Sequence, residues 1–311
     1  MKILVTGGKG YIGAITAKEL VNQGHKVVIY DKKNNQKIQD GELLEKTLKD
    51  EKIEAVMHFA AYIEMGESME NPYKYFENNV FGSLNLLEAM RKTKVNKLIF
   101  SSTAGVYGNP IRVPIKEDDQ KKPENPYGES KLMVERLLKW YDKIHDLKSI
   151  SLRYFNAAGA TLDGTLGENH EPESHLIPNV IKAVIKRQEF KLFGDDYPTA
   201  DGTCIRDYIH VLDLAEAHIL GLKALNQGHK TDVFNVGTGI GYSNKQVIEM
   251  VKKVIKIDLM VKVKPRRIGD ANELVADSGK LQNTLGWKPE YSDLKTIIES
   301  AYKWHSKSGQ F

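Results

Sequence analysis

Cysteine is almost missing from this sequence: Cys204 is the only one in 311 residues. A lone thiol closes no internal disulfide, so a packed core must carry the stability, and a reducing compartment, by default the cytoplasm, is expected. Long hydrophobic runs are missing too. No stretch approaches the roughly 20 apolar residues that span a bilayer, so no membrane partner is expected. The apolar part of the opening Met-Lys-Ile-Leu-Val-Thr-Gly is far too short for the core of a signal peptide. Charge of one sign is scarce: 45 Lys and Arg against 41 Asp and Glu leave +4. The basic pairs Lys32-Lys33 and Lys121-Lys122 stand alone, without interleaved aromatics, so nucleic acid is not an expected partner. There is no internal repeat and no low-complexity tract, and no set of side chains is assigned to a metal.

What remains is a globular composition, 41% hydrophobic and 28% charged. The length suits two domains, or one large domain carrying a smaller one. Short continuous apolar runs alternate with amphipathic stretches, the pattern of an α/β protein with a doubly wound parallel sheet covered on both faces. Strands are expected at Ile3–Val5, Val27–Tyr30, Ala55–Ala60, Lys97–Phe100 and Ser149–Tyr154. Asn71-Pro72 reads as a cap followed by proline at the first helical position, opening one long helix to Met90. A second long helix is expected over Tyr127–His145, after a proline- and charge-rich loop from Gly108 to Pro126. Beyond Asn156 the texture becomes more polar, with further helices near 176–187, 211–225, 243–253 and 294–304 and a late core strand at Phe234–Gly237.

Gly7, Gly10 and Gly13 fall between the first strand and the first helix as G-x-x-G-x-x-G. Glycine there permits a tight turn, close approach of backbone to a pyrophosphate, and close packing of the first helical turn on the sheet. The helix amino terminus adds unpaired N–H donors for phosphate. Asp31, at the end of the second strand, suits a ribose diol and would repel a 2′-phosphate, so NAD is the expected cofactor. Tyr127 and Lys131 are four residues apart on one expected helix and share a face. An ammonium near a phenol lowers its pKa, so Tyr127 is expected to exchange a proton near neutral pH. Thr103, at the end of the Ser101-Ser102-Thr103 strand, offers a hydroxyl to a substrate oxygen or, as the blander alternative, caps a turn.

Gly7–Gly13, His58-Phe59-Ala60-Ala61, Ser101-Ser102-Thr103, Tyr127–Lys131 and Arg153-Tyr154-Phe155-Asn156 together resemble the extended short-chain dehydrogenase/reductase family. Glu77-Asn78-Asn79-Val80, Phe193-Gly194-Asp195-Asp196-Tyr197-Pro198-Thr199, Asp201-Gly202-Thr203 and Arg206–Val211 narrow the resemblance to its UDP-hexose 4-epimerase branch, nearly end to end.

The resemblance implies a Rossmann-type sheet with a smaller mixed α/β substrate-binding region. Residues 1–156 would form mainly the NAD core and 157–311 mainly the UDP-sugar region, with segments near 206–240 returning to the core. It implies reversible epimerisation at C4 of UDP-galactose and UDP-glucose through a transient 4-keto sugar, with tightly held NAD. Thr103, Tyr127 and Lys131 would be catalytic, with Tyr127 as the base. The cofactor would touch Gly7, Gly10, Tyr11, Ile12, Gly13, Asp31, Phe59, Ala60, Ala61, Asn78, Ser101, Tyr127, Lys131 and Tyr154. Substrate contacts would fall on Thr103, Tyr127, Asn156, Leu176, Phe193, Arg206, Tyr208, Arg267, Asp270 and Leu274. Family members commonly dimerise through two helices per subunit, here those around Asn71–Met90 and Tyr127–His145, so a homodimer is implied.

Two departures from the family pattern stand out. The stretch from Asp31 to Glu42 is short, and Lys37 falls where an adenine-binding aspartate is usual, which predicts weaker or differently shaped cofactor retention. Ile63 replaces a lysine found in some members, and Leu274 sits where side-chain size bears on acceptance of N-acetylated sugars. Within the same superfamily a dehydratase would place an acid beside Thr103, but Ala104, Gly105 and Val106 follow it. A non-catalytic NAD-binding regulator is disfavoured by the joint presence of Thr103, Tyr127 and Lys131.

Overall fold

A computed structural model describes residues 1–267 and 270–307. The strands are β1 (Lys2–Thr6), β2 (Lys26–Tyr30), β3 (Ala55–His58), β4 (Lys97–Ser101), β5 (Lys148–Tyr154), β6 (Asn156–Ala158), β7 (Phe190–Phe193), β8 (Ile205–His210), β9 (Asp232–Val236), β10 (Gly241–Ser243), β11 (Val261–Lys264) and β12 (Glu273–Leu274). Six of them make one sheet in the order β2-β1-β3-β4-β5-β9, every pairing parallel. The strands are apolar on both faces because helices cover both. Ile3, Val5, Ile99 and Ile150 face one buried cluster, while Leu4, Val56, Leu98 and Phe100 face another. The expected doubly wound sheet is therefore present.

The strand order reverses at β1, which lies between β2 and β3. Beside such a switch point the loops leaving neighbouring strands diverge to opposite faces and open a crevice at the carboxyl ends. Short connection 31–40 has a direct consequence here. It forms only a tight turn at Lys32–Asn34 before the Gly41–Asp50 helix, with no strand, so β2 is the edge of the sheet. Ile38 anchors the connection: it is buried against Gly82, where a Cβ would lie 2.5 Å from its Cγ2. The Lys37 carbonyl accepts from the Tyr30 hydroxyl at 3.0 Å, and the Gln39 carbonyl accepts from Asn85 at 2.7 Å.

The long helix expected from Asn71 runs on past Met90 to Thr93 and contains a wider π-helical stretch over Phe76–Phe81. Such a stretch re-aims side chains at functional sites. Asn79, inside it, is buried and holds the backbone N–H and carbonyl of Tyr62 together with the hydroxyl of Ser130.

The second half of the chain contributes β9 to the main sheet and builds a separate small sheet, β10-β8-β12 with β6 also on β8, plus the parallel pair β7 and β11. β8 itself belongs to the small sheet. Helices Leu176–Lys186, Asn244–Ile255 and Leu294–Lys307 cover this region with their apolar faces, Val180, Ile181, Val251 and Ile297 among them. Asp207 ties the two regions together. Fully buried, it accepts from Thr238 and Gly239 beyond β9 and from the Ala276 backbone after β12. Burial raises its pKa, and these donors offset that penalty. Among the described residues no helix is long and apolar enough to cross a membrane.

Candidate active site

The glycine loop leaves β1 at the switch point. Gly7 has φ +70°, a conformation that disfavours a side chain, and a Cβ on it would lie 2.7 Å from the Ala60 nitrogen. A Cβ on Gly13 would lie 2.4 Å from the Gly7 carbonyl oxygen. The first helical turn can settle onto the loop only because both residues are bare. The Tyr11–Asn22 helix begins at Gly10 with no side-chain cap, so its first N–H groups point outward with no partner in the helix. This is a cradle shaped for a pyrophosphate.

Asp31 is buried, and each carboxylate oxygen takes one backbone donor, Lys9 N–H at 2.9 Å and Lys33 N–H at 2.9 Å. It does cap the short turn, and it also braces the glycine loop. Each carboxylate oxygen still has a free lone pair for a ribose hydroxyl. Phe59, Ala60 and Ala61 run off the end of β3 beside Gly7, with the Phe59 ring against His218. Asn78 accepts from Gln39 at 3.2 Å and donates to Asn79 at 2.9 Å, joining the short connection to the π-helical stretch. These residues fit a dinucleotide.

Ser101 and Tyr154 end the adjacent strands β4 and β5, and the serine hydroxyl donates to the tyrosine oxygen at 3.0 Å. Just beyond β4, the Thr103 side chain caps the turn at Ala104–Tyr107 and stands near the Tyr127 hydroxyl. The capping reading of Thr103 therefore holds. Tyr127 and Lys131 lie on one face of the Pro126–His145 helix, both buried. Lys131 donates to the Ser101 carbonyl at 2.8 Å.

One sequence expectation needs correction. Tyr127 is not acidified by this protein: burial, then the neighbouring Tyr154, push the phenol well above its usual value, and the Thr103 hydroxyl only partly opposes them. Lys131 is itself pulled down to about 7 by burial, against the influence of Glu135. Spacing put the two side chains on one face, but it carried no information about desolvation.

Glu135, one further turn along, takes two bonds from Arg153 and one from Ser102, all buried. Arg153 also donates to the Tyr107 hydroxyl, which donates to Asn235. His58 is locked between Thr6 and Ser83, and burial with the nearby Lys131 lowers its pKa to about 3.

A cavity of about 500 Å³ opens in the second region, lined by Asn156, Leu176, Phe193, Arg206, Tyr208, Arg267 and Asp270. Asn156 and Tyr208 are register partners on paired strands. The Arg206 guanidinium stands 3.9 Å from Asp270, and Arg267 stacks over Phe193 at 4.3 Å. An aromatic ring, two guanidinium groups and an amide suit a base and a diphosphate. Leu274 is not in this cavity. It packs on the cluster of Val106, Tyr107, Ile115, Leu132 and Phe155, next to the Thr103 turn. The sequence reading missed other cavity residues, notably Asn179, Lys182 and Lys186 on one helix and Asn244 on another. The i, i+3 and i+7 spacing of the first three was the available signal.

Together, the glycine cradle, the Thr103–Tyr127–Lys131 group and the basic-aromatic cavity define a class: an NAD-dependent enzyme of Rossmann build with a nucleotide-sized second site. Residues 3–237 match the family described as NAD dependent epimerase/dehydratase, and the chain belongs to that family. It is 48% identical to the UDP-glucose 4-epimerase of Lactobacillus helveticus, over 98% of this chain and 97% of that one. It is also similar to two solved structures of UDP-glucose 4-epimerase. The Brucella ovis enzyme in complex with NAD is 42% identical, with 97% of each chain covered and a TM-score of 0.93. The Bifidobacterium longum enzyme in complex with NAD+ and UDP is 36% identical, with 99% of each chain covered and a TM-score of 0.92.

Proposed function

We propose that this enzyme epimerises UDP-galactose and UDP-glucose at C4, reversibly and through a 4-keto sugar. The observation that carries the reading is the buried pair of Thr103 and Tyr127 past the carboxyl end of β4, with a cavity suited to UDP lined by Asn156, just past the end of the neighbouring strand β5. Gly7, Gly10, Gly13 and Asp31 would hold NAD, which supplies the hydride acceptor and donor and, in its oxidised form, a positive ring. That charge addresses the one property the protein lacks alone, a phenol ready to ionise. Tyr127 accepts the proton of the C4 hydroxyl and returns it after the sugar has turned. Thr103 holds the reacting oxygen, and Lys131, fixed to the Ser101 carbonyl, orients the ribose beside it.

Inverting a carbon requires the ketone to present both faces. Arg206, Arg267, Phe193, Asn156, Tyr208 and Asp270 would grip the UDP end firmly and leave the hexose free to rotate about its link to the diphosphate, with Leu176 on the cavity rim. Binding energy at the unreacting end then serves the reacting end. Leu274, beside the Thr103 turn, would bound the space for the C2 substituent, and its intermediate size leaves UDP-N-acetylhexosamines as a second substrate class to assay. The exposed Tyr73, Phe81, Met133, Trp140 and Ile144 lie on the two long helices and support a homodimer formed through them.

The test is an assay with UDP-galactose as sole substrate. UDP-glucose should appear with no net NADH. A persistent 4-keto-6-deoxy product would mean dehydration, and no turnover by folded, NAD-loaded protein would mean a non-catalytic role. Tyr127→Phe should lower kcat by about 10²–10⁴-fold while UDP binding stays nearly unchanged; a retained rate would remove Tyr127 as the base.

A further inference from the structure

The segment joining β6 to the Leu176–Lys186 helix carries Glu168, His170, Glu173 and His175 within eight residues. None of the four is needed for the chemistry above. In the fold each turns one donor atom into a common space, all within 4.8 Å of one another. We propose that these four side chains form a binding site for one divalent transition-metal ion of the zinc class.

Three features carry the assignment. The first is size. Zinc bonds of about 2.0–2.2 Å to nitrogen and oxygen require donors roughly 3.3–3.6 Å apart in a tetrahedron. His170 Nδ1 already lies 3.1 Å from Glu168 Oε1, and His175 Nδ1 lies 3.6 Å from Glu173 Oε1. His175 Nδ1 also lies 2.5 Å from Glu168 Oε1, a direct contact that an ion would part.

The second is charge. The Glu168 and Glu173 side chains are only 4% and 5% exposed, an expensive pair of anions to bury side by side. A divalent ion neutralises both carboxylates. Two imidazoles and two carboxylates match zinc and its neighbours, not magnesium or calcium, which prefer oxygen alone.

The third is support. Glu173 Oε1 accepts from the backbone N–H of Ser174 and of His175, both at 3.0 Å, and its other oxygen faces Lys182 at 3.4 Å. The Glu168 carbonyl accepts from the Trp304 indole at 2.9 Å, and Gly167 lies so close under that ring that a Cβ would meet it at 2.4 Å. On the opposite side the Tyr11 ring stands edge-on to His170 at 6.5 Å, and its hydroxyl donates to the Gly159 carbonyl at 2.6 Å. Ligands held in this way by a surrounding layer are what a metal centre requires. The other titratable groups facing the cluster are Tyr11, Lys182 and His305.

The location gives the ion a structural task. His175 precedes the first turn of the Leu176–Lys186 helix and lines the cavity read above as the UDP site, while His170 leans on the glycine-loop helix through Tyr11. A bound ion would pin the cavity rim to the cofactor side of the molecule.

The test uses tag-free full-length protein, stripped with a chelator and then titrated with Zn2+ by calorimetry, and separately with Co2+ by visible absorption. One Zn2+ per chain and the intense visible bands of four-coordinate Co2+ are expected, with affinity falling at least tenfold in His170→Asn and again in Glu168→Gln. Circular dichroism checks that the variants are folded. The partly exposed His170→Asn keeps the test open if Glu168→Gln does not fold. Binding well below one ion per chain, or binding indifferent to His170→Asn, overturns the site. Neither readout depends on turnover, so failure here is distinct from failure of the epimerase reading.

Discussion

Glu135 shows how much depends on one side chain that touches no reacting atom. It lies on the same helix face as Tyr127 and Lys131, accepts from Ser102 beside the Thr103 turn, and holds Arg153 through two nitrogens, with both partners 3% exposed. Removing one partner of such a pair leaves a buried charge with nothing opposite it. Glu135→Gln should therefore cost about 3–5 kcal/mol of stability, read as a lower denaturant midpoint. A loss below about 1 kcal/mol would mean that Tyr107 and the Glu117 carbonyl satisfy Arg153 on their own. Gly13 makes a complementary case. Its substitution by alanine puts a methyl carbon 2.4 Å from the Gly7 carbonyl oxygen, so the loop must open. The Gly13→Ala protein should fold but release NAD at least tenfold more readily, measured by dialysis followed by cofactor fluorescence. Unchanged retention would mean that the cradle relaxes at no cost.

At the scale of elements, the connection after Asp31 shapes the edge of the sheet. It makes a turn instead of a strand, which leaves β2 as the sheet edge, with exposed Lys26 at its start discouraging pairing with another chain. Ile38 and Gly82 close the gap by packing side chain on backbone, while Lys37 stays exposed. Fewer polar contacts to adenine follow, so protein purified and dialysed extensively should hold clearly less than one NAD per subunit. Occupancy near one would show that the pyrophosphate cradle and Asp31 suffice. Most elements were legible beforehand because each has a strong local signal: continuous apolar strands, Asn71-Pro72, and the glycine loop. The π-helical stretch at Phe76–Phe81 was not, since its sequence is equally compatible with an ordinary helix and only the demands of Asn79 on Tyr62 and Ser130 select it.

Over the whole molecule, burial of neutral histidine makes stability depend on pH. His58, His210 and His218 are almost inaccessible, and burial above all lowers them to about 3, 4 and 4. Unfolding releases each to an ordinary value near 6.5, so below that pH the unfolded chain binds more protons than the folded one. Their contribution is complete above about pH 6.5 and is lost as pH falls toward 4, at up to about 1.4 kcal/mol per pH unit for each group. The thermal midpoint should fall steeply between pH 6 and 4. A flat midpoint across that range would mean that these imidazoles are protonated in place.

The sequence by itself determined the parallel sheet, the glycine cradle and the shared face of Tyr127 and Lys131, because each depends on residue type at short spacing: a bare Cα at a turn, an acid at a strand end, two side chains four residues apart. Tertiary structure decided everything that depends on what lies opposite. It set the state of Tyr127 and Lys131, since desolvation is a property of neighbours brought from β4 and β5. It packed Leu274 on the cluster beside the Thr103 turn while pairing its backbone with Arg206 of the cavity. It also turned four residues on an irregular segment into one cluster, because an irregular chain has no period from which the directions of its side chains can be read.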